Sequence, residues 1–220
     1  MNFSQAEENY LKELLSLSLE QGHAPINLLS KRLNIKMPTA NSMTKKMAEK
    51  ELVNYESYKP ISLTHKGKRE AALILRRHRL TEMFLVEKMG FGWEEVHPIA
   101  EQIEHIKSLR FFEKMDEILN YPAFDPHGSP IPDKNGNIID TNSKLLTKAE
   151  VGNTVTFTAV RDSNEDFLKF LNKKNLNLGA KIKILAKESF DSSISVEIDG
   201  SHQEELSAVA CERMLVVADK

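Results

Sequence analysis

The chain has 220 residues, 40% of them apolar and 28% charged, and a formal net charge of −2. That length allows two or three small domains, and the composition is that of an ordinary folded protein, not a disordered or fibrous one. The single cysteine, Cys211, excludes an internal disulfide framework, the early Glu7 and Glu8 are unlike a secretory signal, and no apolar run approaches the roughly 18 residues that span a bilayer; the expected compartment is the cytoplasm, with no membrane partner.

The small net charge hides an asymmetry. Residues 28–69 carry ten Lys/Arg against three Asp/Glu, whereas residues 70–220 carry 19 against 25. A basic segment on an otherwise acidic chain is the electrostatic footprint of a nucleic-acid-binding module, although a solvated charged face gives the same pattern.

In chain order, Leu11, Leu14, Leu15 and Leu19 lie on one face of a helix over residues 4–21. Ser4 and Glu7 form a capping-box pair at its start, and Gly22 supplies the stop. A short helix covers residues 26–34. Pro38 then sits in the first turn of a third helix, which runs to about Lys50 with Met43 and Met47 inward. Two strand-like runs, Leu52–Glu56 and Ile61–Leu63, flank Ser57-Tyr58-Lys59-Pro60 as a hairpin, after which Thr64 can cap a further helix. This order is that of a winged helix-turn-helix. In it the third helix enters the major groove and the wing lies along the backbone. Lys31, Lys45, Lys46 and Lys59 would contact phosphates together with Arg32 and Lys66, while Asn41 and Ser42 would read base edges, with Thr39 on the same exposed face.

The segment 71–89 is helical and largely apolar. A second long helix is expected from His97-Pro98, with an apolar stripe through Ile99, Ile103, Ile106, Phe112 or Phe111, Met115 and Ile118–Leu119. Two such helices behind a DNA-binding domain suggest a homodimer interface, because paired recognition helices need a twofold axis to meet a palindromic site. Residues 121–150 are rich in turn formers. Beyond them, alternating runs such as Val155-Phe157-Ala159 and Ile194-Val196-Ile198 suggest a small barrel with one helix near Glu165–Leu171. The fold class is therefore mainly α with a small β domain, divided as 1–72, 73–140 and 148–220.

The two central helices carry the chemistry. His78 and Glu82 are four residues apart, Glu101, Glu104 and His105 share a face, and His97 lies one turn earlier. Imidazoles and carboxylates converging from facing helices are the usual way to build a metal site in a helical bundle. Without a thiolate, that donor set suits Mn(II) or Fe(II). Isolated, the same residues could be surface ion pairs.

Several motifs in order resemble the iron-dependent repressor family, the group typified by the diphtheria toxin repressor and the manganese transport regulator, in its three-domain form. They are Glu8-Asn9-Tyr10-Leu11, Pro38-Thr39, Leu63-Thr64-His65-Lys66-Gly67, Arg77-His78-Arg79-Leu80-Thr81-Glu82, Val96-His97, Glu101-Gln102-Ile103-Glu104-His105 and His127-Gly128-Ser129-Pro130-Ile131-Pro132. The resemblance implies a repressor that binds palindromic double-stranded operator DNA as a homodimer when loaded with two ions per subunit. It implies an ancillary site of His78, Glu82 and His97, to which an SH3-like C-terminal domain can lend Asp166. It implies a regulatory site of Glu101, Glu104 and His105, joined by Asn9 of the first helix. The acid at 101, where iron-type members carry cysteine, favours manganese. Asn9 departs from the methionine or aspartate common there, so the charge of that site is reduced. The alternatives are a two-metal hydrolase, for which no separate catalytic nucleophile or general base stands out, and a winged-helix regulator of an organic ligand.

Overall fold

The structure, a computed structural model, describes residues 3–56 and 59–219; Ser57 and Tyr58 of the expected hairpin turn lie outside the described residues. The chain divides into two compact units. The first comprises residues 1–81, 100–118 and 131–139, and the second residues 82–99, 119–130 and 140–220.

The first unit begins with α1 (Gln5–Gln21). Both halves of the capping box form: the Ser4 hydroxyl accepts from the Glu7 N–H, and the Glu7 carboxylate accepts from the Ser4 N–H. Gly22 ends the helix in the left-handed region at φ 77°, where a side chain would be strained. Leu11, Leu14 and Leu15 are buried as expected, joined by Tyr10 and Leu17, but Leu19 is 53% exposed. The buried face of α1 is thus wider than its leucine stripe, and it includes Glu7, Glu8 and Lys12.

Helices α2 (Ile26–Arg32) and α3 (Met37–Glu49) follow, with Pro38 in the first turn of α3. Strands β1 (Val53–Asn54) and β2 (Ser62–Leu63) pair antiparallel, Val53 opposite Leu63, as the base of the wing. Leu11, Leu14, Leu29, Met47, Leu52, Leu63 and Ile74 pack into one core. Tyr10 donates its hydroxyl to the Ala40 carbonyl at 3.0 Å and also meets Thr44, tying α1 to α3.

Thr64 caps α4 (His65–Met89), its hydroxyl accepting from the Gly67 N–H at 3.0 Å. Gly67 itself lies against β1: a Cβ there would stand 1.9 Å from the Leu52 carbonyl oxygen. The expected second long helix is corrected. The chain forms α5 (His97–Ile103) and α6 (Leu109–Ile118), separated by a turn. Ser108 accounts for the break: its hydroxyl accepts from the Phe111 N–H at 3.3 Å, starting a new helix where continuation would leave the hydroxyl no such bond. Within α6, Phe112 and Met115 are buried while Leu109 and Ile118 are exposed.

The second unit contains β3 (Lys144–Leu145), a short 3₁₀ turn at Leu146–Lys148, β4 (Thr154–Val160), α7 (Glu165–Lys173), β5 (Lys181–Lys187), β6 (Ile194–Ile198), β7 (His202–Leu206), α8 (Ala208–Cys211) and β8 (Met214–Ala218). Six strands form one antiparallel sheet in the order β3-β8-β4-β5-β6-β7. Register shifts between Phe157 and Ala159, and between Ile184 and Ala186, bend the sheet. Its alternating residues Phe157, Ile182, Ile184, Val196, Ile198 and Met214 pack with Leu168 and Leu171 of α7 into a second core, as the period-two pattern requires. Among the described residues, no helix is long and apolar enough to cross a membrane.

The two glycines give contrasting expectations. Gly67→Ala should destabilise the chain by about 3 kcal/mol because the added methyl meets backbone that cannot move aside. Gly22→Ala, with nothing within 4 Å of the new Cβ, should cost about 1 kcal/mol through its positive φ alone. Denaturant unfolding of both variants checks the order.

Candidate functional site

The basic face of the first unit is built by α3 and the wing. Pro38, Thr39, Ser42, Lys45 and Lys46 are exposed on α3, and Asn41 is half-buried. Asn41 and Lys45 line a cleft of about 650 Å³ together with Tyr55, Lys59 and Pro60 of the wing. Lys31 is exposed at the end of α2. Several of the expected phosphate-binding cations have partners within the chain: Arg32 holds Glu20 at 2.8 Å, Lys66 donates to the Lys50 carbonyl at 2.9 Å, and Lys59 lies 2.7 Å from Glu56. Lys46 lies 3.0 Å from Glu7 of α1, its side chain half exposed.

Behind that face, the first unit holds a charged cluster. Glu104 is fully buried and Glu8 nearly so. Glu8 accepts from Arg77 at 2.8 Å, from Lys107 at 2.6 Å and lies 2.6 Å from His105 Nδ1. Burial pushes the Glu8 carboxyl up, but these three partners outweigh it and hold it below the usual range. Glu104 lies 2.6 Å from His78 Nδ1. The Lys12 ammonium, 4% exposed, sits between acids: 2.5 Å from Glu101 and 2.8 and 2.9 Å from the two oxygens of Glu104. Burial pulls the Lys12 pKa down, yet Glu104 and Glu101 raise it above its ordinary value, so it is charged.

Of the residues expected at the regulatory site, Glu101 and Glu104 converge on Lys12, which the sequence reading did not single out. His105 pairs with Glu8, with its Nε2 3.7 Å from Glu104. Asn9 contributes no bond from its side-chain oxygen, which is buried without a hydrogen-bond partner among the described residues. A divalent ion does not fit between Glu101 and Glu104 as they stand. Two unit charges 4 Å apart at an effective dielectric constant of 20 interact by about 4 kcal/mol, so a divalent ion would meet roughly twice that repulsion from the ammonium.

The second unit presents a different cluster. One ligand atom each from Glu82, Asp125 and His127, all buried, lies within 4.8 Å of the others. Glu82 comes from the C-terminal part of α4. Asp125 and His127 come from a turn in the Pro-rich connector: Asp125 Oδ1 accepts from the N–H groups of His127 and Ser129, each at 2.9 Å. Gly128 completes the turn at φ 83°, and a Cβ there would stand 2.0 Å from the Thr158 carbonyl. His127 Nε2 lies 2.8 Å from the Trp93 carbonyl, the ring stacks on Trp93, and Nδ1 faces Glu82 at 3.6 Å. Donation of Nε2–H to a carbonyl leaves Nδ1 as the lone-pair nitrogen, which is how ligating histidines are oriented. Burial lowers the His127 pKa, but Glu82 and Asp125 outweigh it and raise it. Two carboxylates and an oriented imidazole, without thiolate, fit a hard or borderline divalent cation such as Mn(II) or Fe(II).

Of the expected ancillary set, His97 lies 3.2 Å from Glu82 in this unit, its side chain 47% exposed, and His78 belongs to the first-unit cluster. Asp166 is exposed in the first turn of α7 and is not one of the three clustered residues. Asp125 and His127 were missed because they sit among turn formers. The signal available was an acid and an imidazole two residues apart in a segment of otherwise weak chemistry.

Comparison with known proteins agrees along the chain. Residues 2–61 match the iron-dependent repressor N-terminal DNA-binding domain, residues 64–133 the iron-dependent repressor metal-binding and dimerisation domain, and residues 144–217 the FeoA domain. The iron-dependent repressor IdeR of Mycobacterium tuberculosis is 34% identical over 126 residues, which cover 57% of this chain and 54% of that protein, so the match spans about half the relative's length. An HTH-type transcriptional regulator of Methanocaldococcus jannaschii is 38% identical over 114 residues, 51% of this chain and 90% of that protein. A solved structure described as a manganese-dependent transcriptional repressor complex with manganese superposes with a TM-score of 0.89 at 31% identity, covering 96% of this chain and 99% of that one.

The attachment of α1 to α3 has its own pH signature. Lys50 at 2.6 Å and Lys46 at 3.0 Å flank Glu7; burial pushes its carboxyl up, but Lys50, the Ser4 N–H and Lys46 bring it to about 2. A carboxyl depressed on folding adds stability above its unfolded pKa and loses it as pH falls through the folded one. Wild-type stability should therefore decline between about pH 4.5 and 2 by more than that of Glu7→Gln, as followed by thermal unfolding across that range.

Proposed function

Because the chain belongs to the iron-dependent repressor family, we propose that it is a cytoplasmic, DNA-binding transcriptional repressor that binds palindromic operators as a homodimer under the control of Mn(II) or Fe(II). The observation that carries the DNA-binding part is the cleft shared by α3 and the wing, where Asn41 and Lys45 of the helix line one surface with Lys59 of the hairpin. A recognition helix and a wing presenting cations to one groove suit a duplex, whose phosphates supply affinity and whose base edges supply sequence. The exposed apolar residues Phe111 and Ile118, which share one face of α6, support a dimer contact.

Glu82, Asp125 and His127 are the residues proposed to hold the activating ion. The ion would supply positive charge to two buried carboxylates, and the residues of the chain would do the rest. The Trp93 carbonyl fixes the imidazole tautomer, and the Asp125 turn fixes the acid. Binding biases the conformer that grips DNA by no more than its differential affinity for the two conformers. The organisation 1–72, 73–140 and 148–220 is proposed as DNA-binding, metal-binding and SH3-like domains. Nothing about the site favours the hydrolase alternative, and the relatives are repressors.

A gel-shift assay on the chain's own upstream DNA tests the reading. A shift should require Mn(II) or Fe(II) and disappear in EDTA; a shift that is the same in EDTA would defeat the metal control, and no shift under any condition would defeat the DNA reading. Lys59→Ala should weaken binding and reduce the slope of log K against log salt by about 1, while leaving sequence preference unchanged. His127→Ala should lower Mn(II) uptake by at least tenfold in affinity; uptake equal to wild type in equilibrium dialysis would remove the Glu82–Asp125–His127 centre from the proposal.

A further inference from the structure

We infer that the Lys12 ammonium is a tethered cation standing where a divalent ion would otherwise join Glu101 and Glu104, so that the first helix is fastened to the α5 region by the chain itself.

The geometry carries this. Lys12 Nζ reaches Glu101 at 2.5 Å and both Glu104 oxygens at 2.8 and 2.9 Å, and so meets both acids that a bridging ion would neutralise. The side chain is 5% exposed and that of Glu104 is fully buried, so the ammonium is no surface visitor. The rest of the cluster is balanced around it. Glu8, Glu101 and Glu104 are matched by the permanent cations Lys12, Arg77 and Lys107. The ring nitrogens of His78 and His105 lie 2.6 Å from Glu104 and Glu8. The carboxylates of this set are paired without a metal, and inserting one between Glu101 and Glu104 would require the ammonium to leave. The link between α1 and the residues at 101–104 is then constitutive, and metal control of the chain falls to other ligands. The inference rests on no assumption about DNA binding.

The test is Mn(II) uptake by the full-length protein, read by equilibrium dialysis with free Mn(II) counted by electron paramagnetic resonance. Wild type and Glu104→Gln should bind the same number of ions. Lys12→Ala should bind one more per chain than wild type, and that extra ion should be lost in Lys12→Ala/Glu104→Gln. Lys12→Arg, which keeps a cation in place, should gain none. If Glu104→Gln removes an ion from the wild-type protein, or if Lys12→Ala gains none, the inference is overturned. Should Lys12→Ala not fold in EDTA, the comparison of wild type with Glu104→Gln decides the matter alone. Loss of uptake in His127→Ala is a separate reading: its failure would count against the centre in the second unit and leave the Lys12 result standing.

Discussion

A carboxylate taken out of water must find a cation, and in the first unit that requirement organises everything from α1 to α6. Glu8 and Glu104 are buried between helices whose other inward residues are leucines and aromatics. An isolated charge in such surroundings would cost many kilocalories per mole or else be neutralised by a proton. The chain instead brings Lys12, Arg77 and Lys107 to them from three separate segments. The break between α5 and α6 belongs to the same solution. The turn between α5 and α6 releases His105 and Lys107 from a continuous helix, where they would point about 200° apart, and both reach Glu8.

The same requirement is met differently in the second unit. Glu82 and Asp125 are buried, and the imidazole beside them is held by the Trp93 carbonyl and a glycine-dependent turn. The two acids raise the His127 pKa against the opposing effect of burial.

The recognition helix is tied into this scheme through α1. Tyr10 bonds the α3 backbone at Ala40, and Glu7 draws in Lys46 and Lys50. Because Lys12 lies on the same helix, fastening α1 to the residues at 101–104 also limits the orientations open to α3. Exposed Thr39, Ser42 and Lys45 are thereby presented from a well-supported helix.

Local pattern alone determined much of this protein. The capping box at Ser4–Glu7, the stop at Gly22, Pro38 at the head of α3 and the period-two strands after residue 150 are short-range signals, and each formed as read. Sequence also showed that His78, Glu82, Glu101, Glu104 and His105 are an unusual concentration of metal-type side chains. Tertiary structure alone decided their partners. Lys12 lies 92 positions from Glu104, and no periodicity reports that an ammonium on one helix will enter a cluster on another. Asp125 and His127 acquire meaning only when their turn is folded against Glu82. Helical phase states which way a side chain points from its own axis; which charge waits at the other end is set by how distant segments pack, and that is what brought Lys12 to Glu101 and Glu104.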